Sequence, residues 1–234
     1  MDLSPDVSAQ LSAYALSFEQ IEQLRLFADL LENAPLNLTA LRGENLWIKG
    51  ILDALSLRPY LPISGKFIDI GSGGGFPALV LAITGNDQQH WTLIDSRKKR
   101  MAYVQKMAQT LQLTSQIKIV ADRAEEWIFS HPCQRQAYDA ATARAVGSVG
   151  LCAELALPYV KTGGRVILPK GKEIFEETAH FEKMIEQLGG KMMQKDPRPL
   201  IESEHPRWIG VIQKQRPTPK FFPRRGALLG KPLE

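Results

Sequence analysis

The residues best placed to do chemistry lie in one stretch, Phe67-Ile68-Asp69-Ile70-Gly71-Ser72-Gly73-Gly74-Gly75-Phe76-Pro77. Apolar and β-branched residues around a single acid predict a short buried strand. The alternate glycines Gly71, Gly73 and Gly75 allow the sharp turn and close ligand approach that a Cβ obstructs. Pro77 is tolerated in the first turn of a helix. The run Ala78-Leu79-Val80-Leu81-Ala82-Ile83 predicts that helix, stopped by Gly85-Asn86. Strand, glycine loop and helix in this order make a nucleotide-binding unit. The plainer account is a glycine turn that serves only the fold.

Spacing narrows the ligand. A dinucleotide fingerprint, G-x-G-x-x-G, seats a pyrophosphate on the helix N-terminus. Here Phe76 occupies its third glycine position, and Gly75 comes one residue early. Asp69 is poorly placed beside a pyrophosphate but suits a ligand that carries an ammonium group. No Gly-Lys-Ser/Thr closes the turn, which excludes a P-loop. The D-x-G-x-G-x-G pattern resembles the first motif of Rossmann-like S-adenosylmethionine methyltransferases. The next predicted strand, His90-Trp91-Thr92-Leu93-Ile94, ends in Asp95. An acid there accepts hydrogen bonds from ribose hydroxyls. S-adenosylmethionine and NAD both carry that ribose, so Asp95 indicates a nucleoside without choosing between them.

The elements that must position these residues follow from the rest of the chain. With 234 residues, 44% hydrophobic, the chain suits one α/β domain with a small extension. A net charge of +4 permits an anionic partner without demanding one. Cys133 and Cys152 are the two cysteines and form no CxxC pair, which suits a reduced compartment. The N-terminal residues lack a basic region followed by an apolar core, and no apolar run approaches the ~20 residues of a membrane span. A cytoplasmic protein without membrane association is expected.

Residues 1–62 form a helical preface. Ser17 can cap a helix through Phe18, Ile21, Leu24, Phe27, Leu30 and Leu31, stopping near Asn33-Ala34-Pro35. A turn at Asn37-Leu38-Thr39-Ala40 precedes a second helix over 47–55, ended around Pro59. The preface either packs on the sheet as a cap or covers the substrate side.

From Lys66 onward strands and helices alternate, as in a doubly wound sheet. Arg97-Lys98-Lys99-Arg100 open the helix after Asp95-Ser96; they read as a solvated face or as phosphate contacts. A third strand at 116–121 leads to Asp122-Arg123-Ala124-Glu125-Glu126. These acids are ordinary helix-capping chemistry; in a methyltransferase sheet the same loop touches adenine through its backbone, and the two accounts are compatible. A fourth strand at 138–143 delivers Arg144 to the carboxyl ends of the strands, where ligands of such sheets bind. No Asn/Asp-Pro-Pro-Tyr tetrad stands there, and no cysteine nucleophile follows the fourth or fifth strand. Cys152 falls on an apolar helical face and reads as core. A fifth strand ends in the cationic Lys170-Gly171, a charged helix covers about 173–188, and sixth and seventh strands follow Gly189-Gly190 and span 208–212. His90, His131, His180 and His205 are scattered without metal-ligand spacing. From Lys214 the chain turns basic and proline-rich, with Phe221-Phe222 as stacking faces; this suits looped or single-stranded RNA, or a solvated end.

The Asn37-Leu38-Thr39-Ala40 turn, the 69–77 loop and Asp95-Ser96 with Lys98-Lys99 together resemble the glucose-inhibited division protein B family. So do Arg123-Ala124-Glu125, Ala143-Arg144-Ala145-Val146, Lys170-Gly171, Pro223-Arg224-Arg225-Gly226 and Gly230-Lys231-Pro232-Leu233. The resemblance runs through nearly the whole chain. Ala78 stands where that family usually has glycine, and the tail is shorter than usual.

The family comprises bacterial methyltransferases acting on N7 of guanine 527 in 16S ribosomal RNA. The resemblance implies a Rossmann-like class I S-adenosylmethionine methyltransferase, with a seven-stranded, mostly parallel sheet. Residues 1–62 would be the helical extension, 63–213 the core and 214–234 the basic tail. It further implies cofactor contacts at Gly71, Phe76, Ala124, Glu125 and Arg144, to which the loop reading adds Asp69, Gly73, Gly75 and Ser96. Asp95 is the expected ribose ligand, Arg144 the positioning residue at the reacting atoms, and Lys170, Arg224 and Arg225 the expected RNA contacts. The expected partner is 16S ribosomal RNA or the small subunit, with no metal and no obligatory protein partner. Rivals are a nicotinamide oxidoreductase, a non-catalytic RNA-binding module on this fold, and a methyltransferase for another RNA or a small molecule.

Overall fold

The computed structural model describes residues 3–198 and 207–232. The preface begins with α1 (Pro5–Ser12), capped by Ser4, whose side chain accepts from Val7 N. Sequence periodicity does not announce this helix, because only Val7 and Leu11 of its one buried face are apolar anchors. α2 (Phe18–Glu32) starts as expected at Ser17, with Gln20 completing a reciprocal capping box. Where one regular helix was expected over 47–55, the chain forms α3 (Gly43–Leu46), a π-helical turn (Trp47–Leu52) and α4 (Asp53–Leu55). A π turn widens the helix locally and is frequent at functional sites. Apolar spacing in a short run does not register that change.

The core alternates β1 (Gly65–Ile70), α5 (Ala78–Ile83), β2 (Gln89–Ile94), α6 (Lys98–Thr110), β3 (Ile117–Val120) and α7 (Ala124–Ser130). It continues with β4 (Tyr138–Ala143), α8 (Val149–Ala156), β5 (Val160–Lys170), α9 (Ile174–Gln187), β6 (Gly190–Arg198) and β7 (Arg207–Lys214). The seven strands lie in the order β3-β2-β1-β4-β5-β7-β6. The first five are parallel, and β7 runs antiparallel to both of its neighbours. This is the mostly parallel Rossmann-like sheet that the alternation predicts. Strand order reverses between β1 and β4, whose last residues Ile70 and Ala143 pair in register. The loops after these strands therefore emerge side by side, at the crevice where such sheets bind ligands.

Strand alternation divides the core. Phe67 of β1 faces one apolar cluster, which contains Leu24, Phe27, Leu31 and Trp47 of the preface with residues of α5 and α6. Ile68 and Ile70 face the other, built from α7, α8 and α9. The preface thus shares its core with the sheet. Cys152 is buried in the second cluster, as its helical face suggested.

The C-terminal residues differ from a uniformly solvated or stacking tail. Lys214 ends β7 fully buried, with Nζ donating to Leu157 O at 2.7 Å and Leu188 O at 3.1 Å and meeting Thr218 Oγ1. Phe222 is buried in the second cluster while Phe221 stays exposed, so one of the two expected stacking faces is core. Composition sees a lysine and a phenylalanine but not the pocket that receives them. Among the described residues no helix is long and apolar enough to cross a membrane, and no group of three His, Cys, Asp or Glu side chains converges as a metal site. His205 lies outside the described residues.

Candidate active site at the strand crossover

The loop after β1 is shaped by backbone requirements. Gly71 has φ +70°, and a Cβ there would stand 2.7 Å from Val146 Cγ2 in the loop after β4. Gly75 has φ +95°, and its Cβ would meet Leu79 Cδ1 at 2.5 Å. Only glycine fits both the left-handed backbone and the space. Gly71 N and Ser72 N donate to Ile94 O, tying the loop to the end of β2. A cavity of about 420 Å³ opens above, walled by Gly71, Phe76, Asp95, Ala124, Glu125 and Arg144 among others. Gly73 and Ser96 also line it, and so do Leu38 and Thr39 of the preface.

Each expected cofactor residue can now be placed. Asp95 is held at the wall by two backbone donors, Gly73 N at 3.1 Å and Arg97 N at 2.8 Å, which fixes its carboxylate orientation. Ala124 and Glu125 open α7, and Tyr159 Oη donates to Ala124 O at 2.6 Å, anchoring that helix start. The Glu125 carboxylate is buried and accepts from Arg123 Nε at 2.6 Å. Of the four cations after Ser96, Arg97 and Arg100 line the cavity.

Asp69 is fully enclosed in β1 rather than on the cavity wall. Thr142 Oγ1 donates to its Oδ1 at 2.7 Å, while Oδ2 has no hydrogen-bond partner. Burial pushes its carboxyl up to about 7, against the lowering effects of Thr142, Ser72 and Arg144. An orphaned carboxylate oxygen this deep is a place where a donor is wanted.

Arg144 sits where the cavity meets the preface. Its Nη1 donates to Asp53 Oδ2 at 3.0 Å and to Lys49 O at 3.2 Å. Its guanidinium lies 4.6 Å from the centroid of the Phe76 ring, a cation–π contact. Phe76 in turn meets Phe27 edge-on at 5.1 Å. A Cβ on Gly50 of the π turn would come 3.0 Å from Phe76 Cζ. The preface therefore supplies the anchors of Arg144 rather than covering the sheet passively. Asp53 is the residue that sequence reasoning passed over. Its signal was present: one acid within the apolar run Ile51-Leu52-Asp53-Ala54-Leu55 must find a partner when buried. Ala145, next in the chain, holds φ +57°, a strained choice for a residue with Cβ.

The three expected RNA contacts are not brought together. Lys170 Nζ donates to Gly147 O at 2.6 Å and to Glu177 Oε2 at 2.8 Å, beside a second cavity that also includes Arg144 and Ala145. Arg224 is locked to buried Glu154. Arg225 is exposed, 3.2 Å from Glu126 and over the Phe129 ring at 4.3 Å.

A model of the GidB family, described as rRNA small subunit methyltransferase G, matches residues 20–196. The Ribosomal RNA small subunit methyltransferase G of Lactiplantibacillus plantarum is 36% identical over 218 residues, covering 90% of this chain and 88% of that protein. Its namesake in Alkaliphilus oremlandii is 38% identical over 220 residues, covering 91% and 89%. Among solved structures, an O-methyltransferase from Bacillus cereus in complex with SAH superposes with a TM-score of 0.58 at 13% identity, covering 85% of this chain and 91% of that one. At that identity the likeness speaks to the fold alone.

Proposed function

Because the chain belongs to the GidB family, rRNA small subunit methyltransferase G, we infer that it is an S-adenosylmethionine-dependent enzyme that methylates N7 of a guanine in 16S ribosomal RNA, position 527 of the 530 loop. The observation that carries this reading is that the family match, residues 20–196, takes in every wall residue of the first cavity. The substrate places its work in the cytoplasm, on the RNA or on the assembling small subunit.

The residues present fit the cofactor. Gly73 leaves room for close backbone approach, Gly71 lines the cavity with Val146 packed against it, and Gly75, packed on Leu79 off the wall, shapes the loop. Phe76, Ser96, Ala124, Glu125 and Arg144 supply walls and donors, and Asp95 presents a pre-oriented carboxylate to ribose hydroxyls. Asp69 is enclosed in β1 and does not line the cavity, so it would act on the cationic end of the ligand through the loop that follows it rather than by direct contact. S-adenosylmethionine held by these residues would supply a sulfonium-activated methyl group, with the sulfur as leaving group.

Guanine N7 presents an in-plane lone pair and no proton. The protein therefore has no proton to abstract, and the rate comes from orientation, which can contribute ~7–11 kcal/mol. Arg144 is a positioning residue in this scheme. It donates to guanine O6 and leaves N7 free to attack, while Asp53, Lys49 O and the Phe76 face keep its guanidinium in place. Of the expected RNA contacts Lys170, Arg224 and Arg225, Arg225 is the exposed one and the best placed to meet a phosphate, whereas Arg224 is spent on Glu154 and Lys170 on Gly147 O and Glu177.

The test is transfer of a labelled methyl group from S-adenosylmethionine to unmethylated small-subunit RNA, with the base mapped by its sensitivity to reduction and aniline. Label at a single guanine N7 is expected. Cofactor binding without label would sink the substrate assignment.

A further inference from the structure

The second cavity, about 430 Å³, lies against the first and shares Arg144 and Ala145 with it. Its size is that of a ligand site rather than a packing gap. Its charged lining comprises Lys49, Asp53, Arg144, Lys170, Glu173 and Arg207. Three of these are already engaged: Asp53 and Arg144 with each other, and Lys170 with Glu177. Lys49, Glu173 and Arg207 are exposed at its rim.

We propose that this cavity receives the target guanosine, everted from the RNA, and that Glu173 is the specificity-determining residue that reads its N1–H and N2 amino edge. The proposal rests on the methylation reading above. The shared wall is the first reason. A methyl group must cross from the cofactor to N7 over a short distance, and Arg144 and Ala145 are the residues common to both cavities.

Base geometry is the second reason. N7 and O6 form one edge of guanine, and N1–H and the N2 amino group follow O6 on the adjoining Watson–Crick edge. With N7 facing the cofactor and O6 on Arg144, these donors lie on the side of O6 away from the cofactor. Enzymes that evert a base commonly read its Watson–Crick edge by hydrogen bonds. Two adjacent N–H donors ask for a carboxylate. Asp53 is buried and bound to Arg144, whereas Glu173 is exposed, with Oε1 accepting from Gly171 N at 3.0 Å. Lys49 and Arg207 supply positive charge for the flanking phosphates. Adenine, which carries an acceptor at N1, would meet Glu173 with like polarity.

The experiment is a chemical cycle on the full-length protein. Ligated small-subunit RNA carries either guanosine or inosine at the target position; inosine keeps N7, O6 and N1–H but lacks the N2 amino group. For the wild-type protein, inosine is expected to lower kcat/KM about tenfold, within the range of one good base contact. For Glu173→Gln, which keeps an acceptor for Gly171 N, guanosine and inosine are expected to agree within twofold. S-adenosylmethionine affinity, measured by equilibrium dialysis, should stay within twofold of wild type. If Glu173→Gln loses cofactor binding through misfolding, Glu173→Ala decides by the same cycle. An equal inosine penalty in wild type and variant overturns the assignment of Glu173. A wild-type protein that binds cofactor but methylates neither RNA overturns the function reading and this proposal with it.

Discussion

Two arginines in different parts of the fold follow the same recipe. Arg144 pairs with Asp53 and lies over Phe76; Arg224 pairs with Glu154 and lies 5.7 Å from the centroid of Phe222. Both side chains are mostly buried, 17% and 14% exposed. Their remaining capacity differs. Arg224 spends Nε and Nη2 on the two oxygens of Glu154, each at 2.8 Å, and gives a further Nη2 bond to Lys231 O at 2.6 Å. The same carboxylate accepts from Arg224 N and Gly230 N, both at 2.7 Å. This is a saturated clasp that holds the C-terminal segment on α8. Arg144 makes its bonds to Asp53 and Lys49 O through Nη1 and borders two cavities. An arginine becomes available to a substrate by what its neighbours leave unspent, not by being basic.

The comparison is most easily broken at Glu154. Glu154→Ala strips a fully buried carboxylate from four donors and leaves Arg224 buried without its counter-charge. A loss of about 3–5 kcal/mol in unfolding free energy is expected, measured by urea titration, with methyl transfer per folded molecule changed less than about threefold. A large loss of turnover in the folded fraction would show that the clasp also serves catalysis. Arg144→Ala should do the reverse. About a hundredfold loss in kcat/KM is expected, or ~2.7 kcal/mol of transition-state stabilisation, with the circular dichroism spectrum unchanged. Asp53→Asn should reproduce part of that loss, because it acts through the orientation of Arg144.

Acid–base behaviour sharpens the contrast on the cavity side. The folded carboxyl of Asp69 is pushed up to about 7 by burial, above an ordinary value of roughly 3.9 when unfolded. A raised acid pKa means the fold favours the protonated form. Its stabilisation is complete below pH ~4 and is lost as pH rises toward 7. Relative to Asp69→Asn, the wild-type protein should lose about 2 kcal/mol between pH 5 and pH 7. Parallel stability curves for the two proteins would contradict the burial account. The smallest expected effect is at Arg225, whose ion pair with Glu126 is exposed on both sides. Arg225→Ala should change stability by less than ~0.5 kcal/mol. If Arg225 meets an RNA phosphate, the same variant lowers the salt dependence of RNA binding by about one ion. An unchanged salt slope would confine Arg225 to the protein surface.

Much of the site is local and therefore legible in the sequence. A strand ending in Asp69-Ile70 followed by alternate glycines marks the turn, since φ is positive at Gly71, Gly73 and Gly75, where a residue with Cβ would be strained. The Ser17 capping box, the acid after β2 and the arginine after β4 are likewise set by spacing within single elements. What tertiary structure decided is which distant groups satisfy one another. The pairing of β1 with β4 puts Val146 against Gly71 and Thr142 against Asp69. Packing of the preface brings Asp53 to Arg144 across 91 residues, and folding back of the tail brings Arg224 to Glu154 across 70. Periodicity and propensity describe neighbours along the chain. Burial of a charge imposes a need for a counter-charge without naming the residue that meets it, and only the closed fold makes that choice.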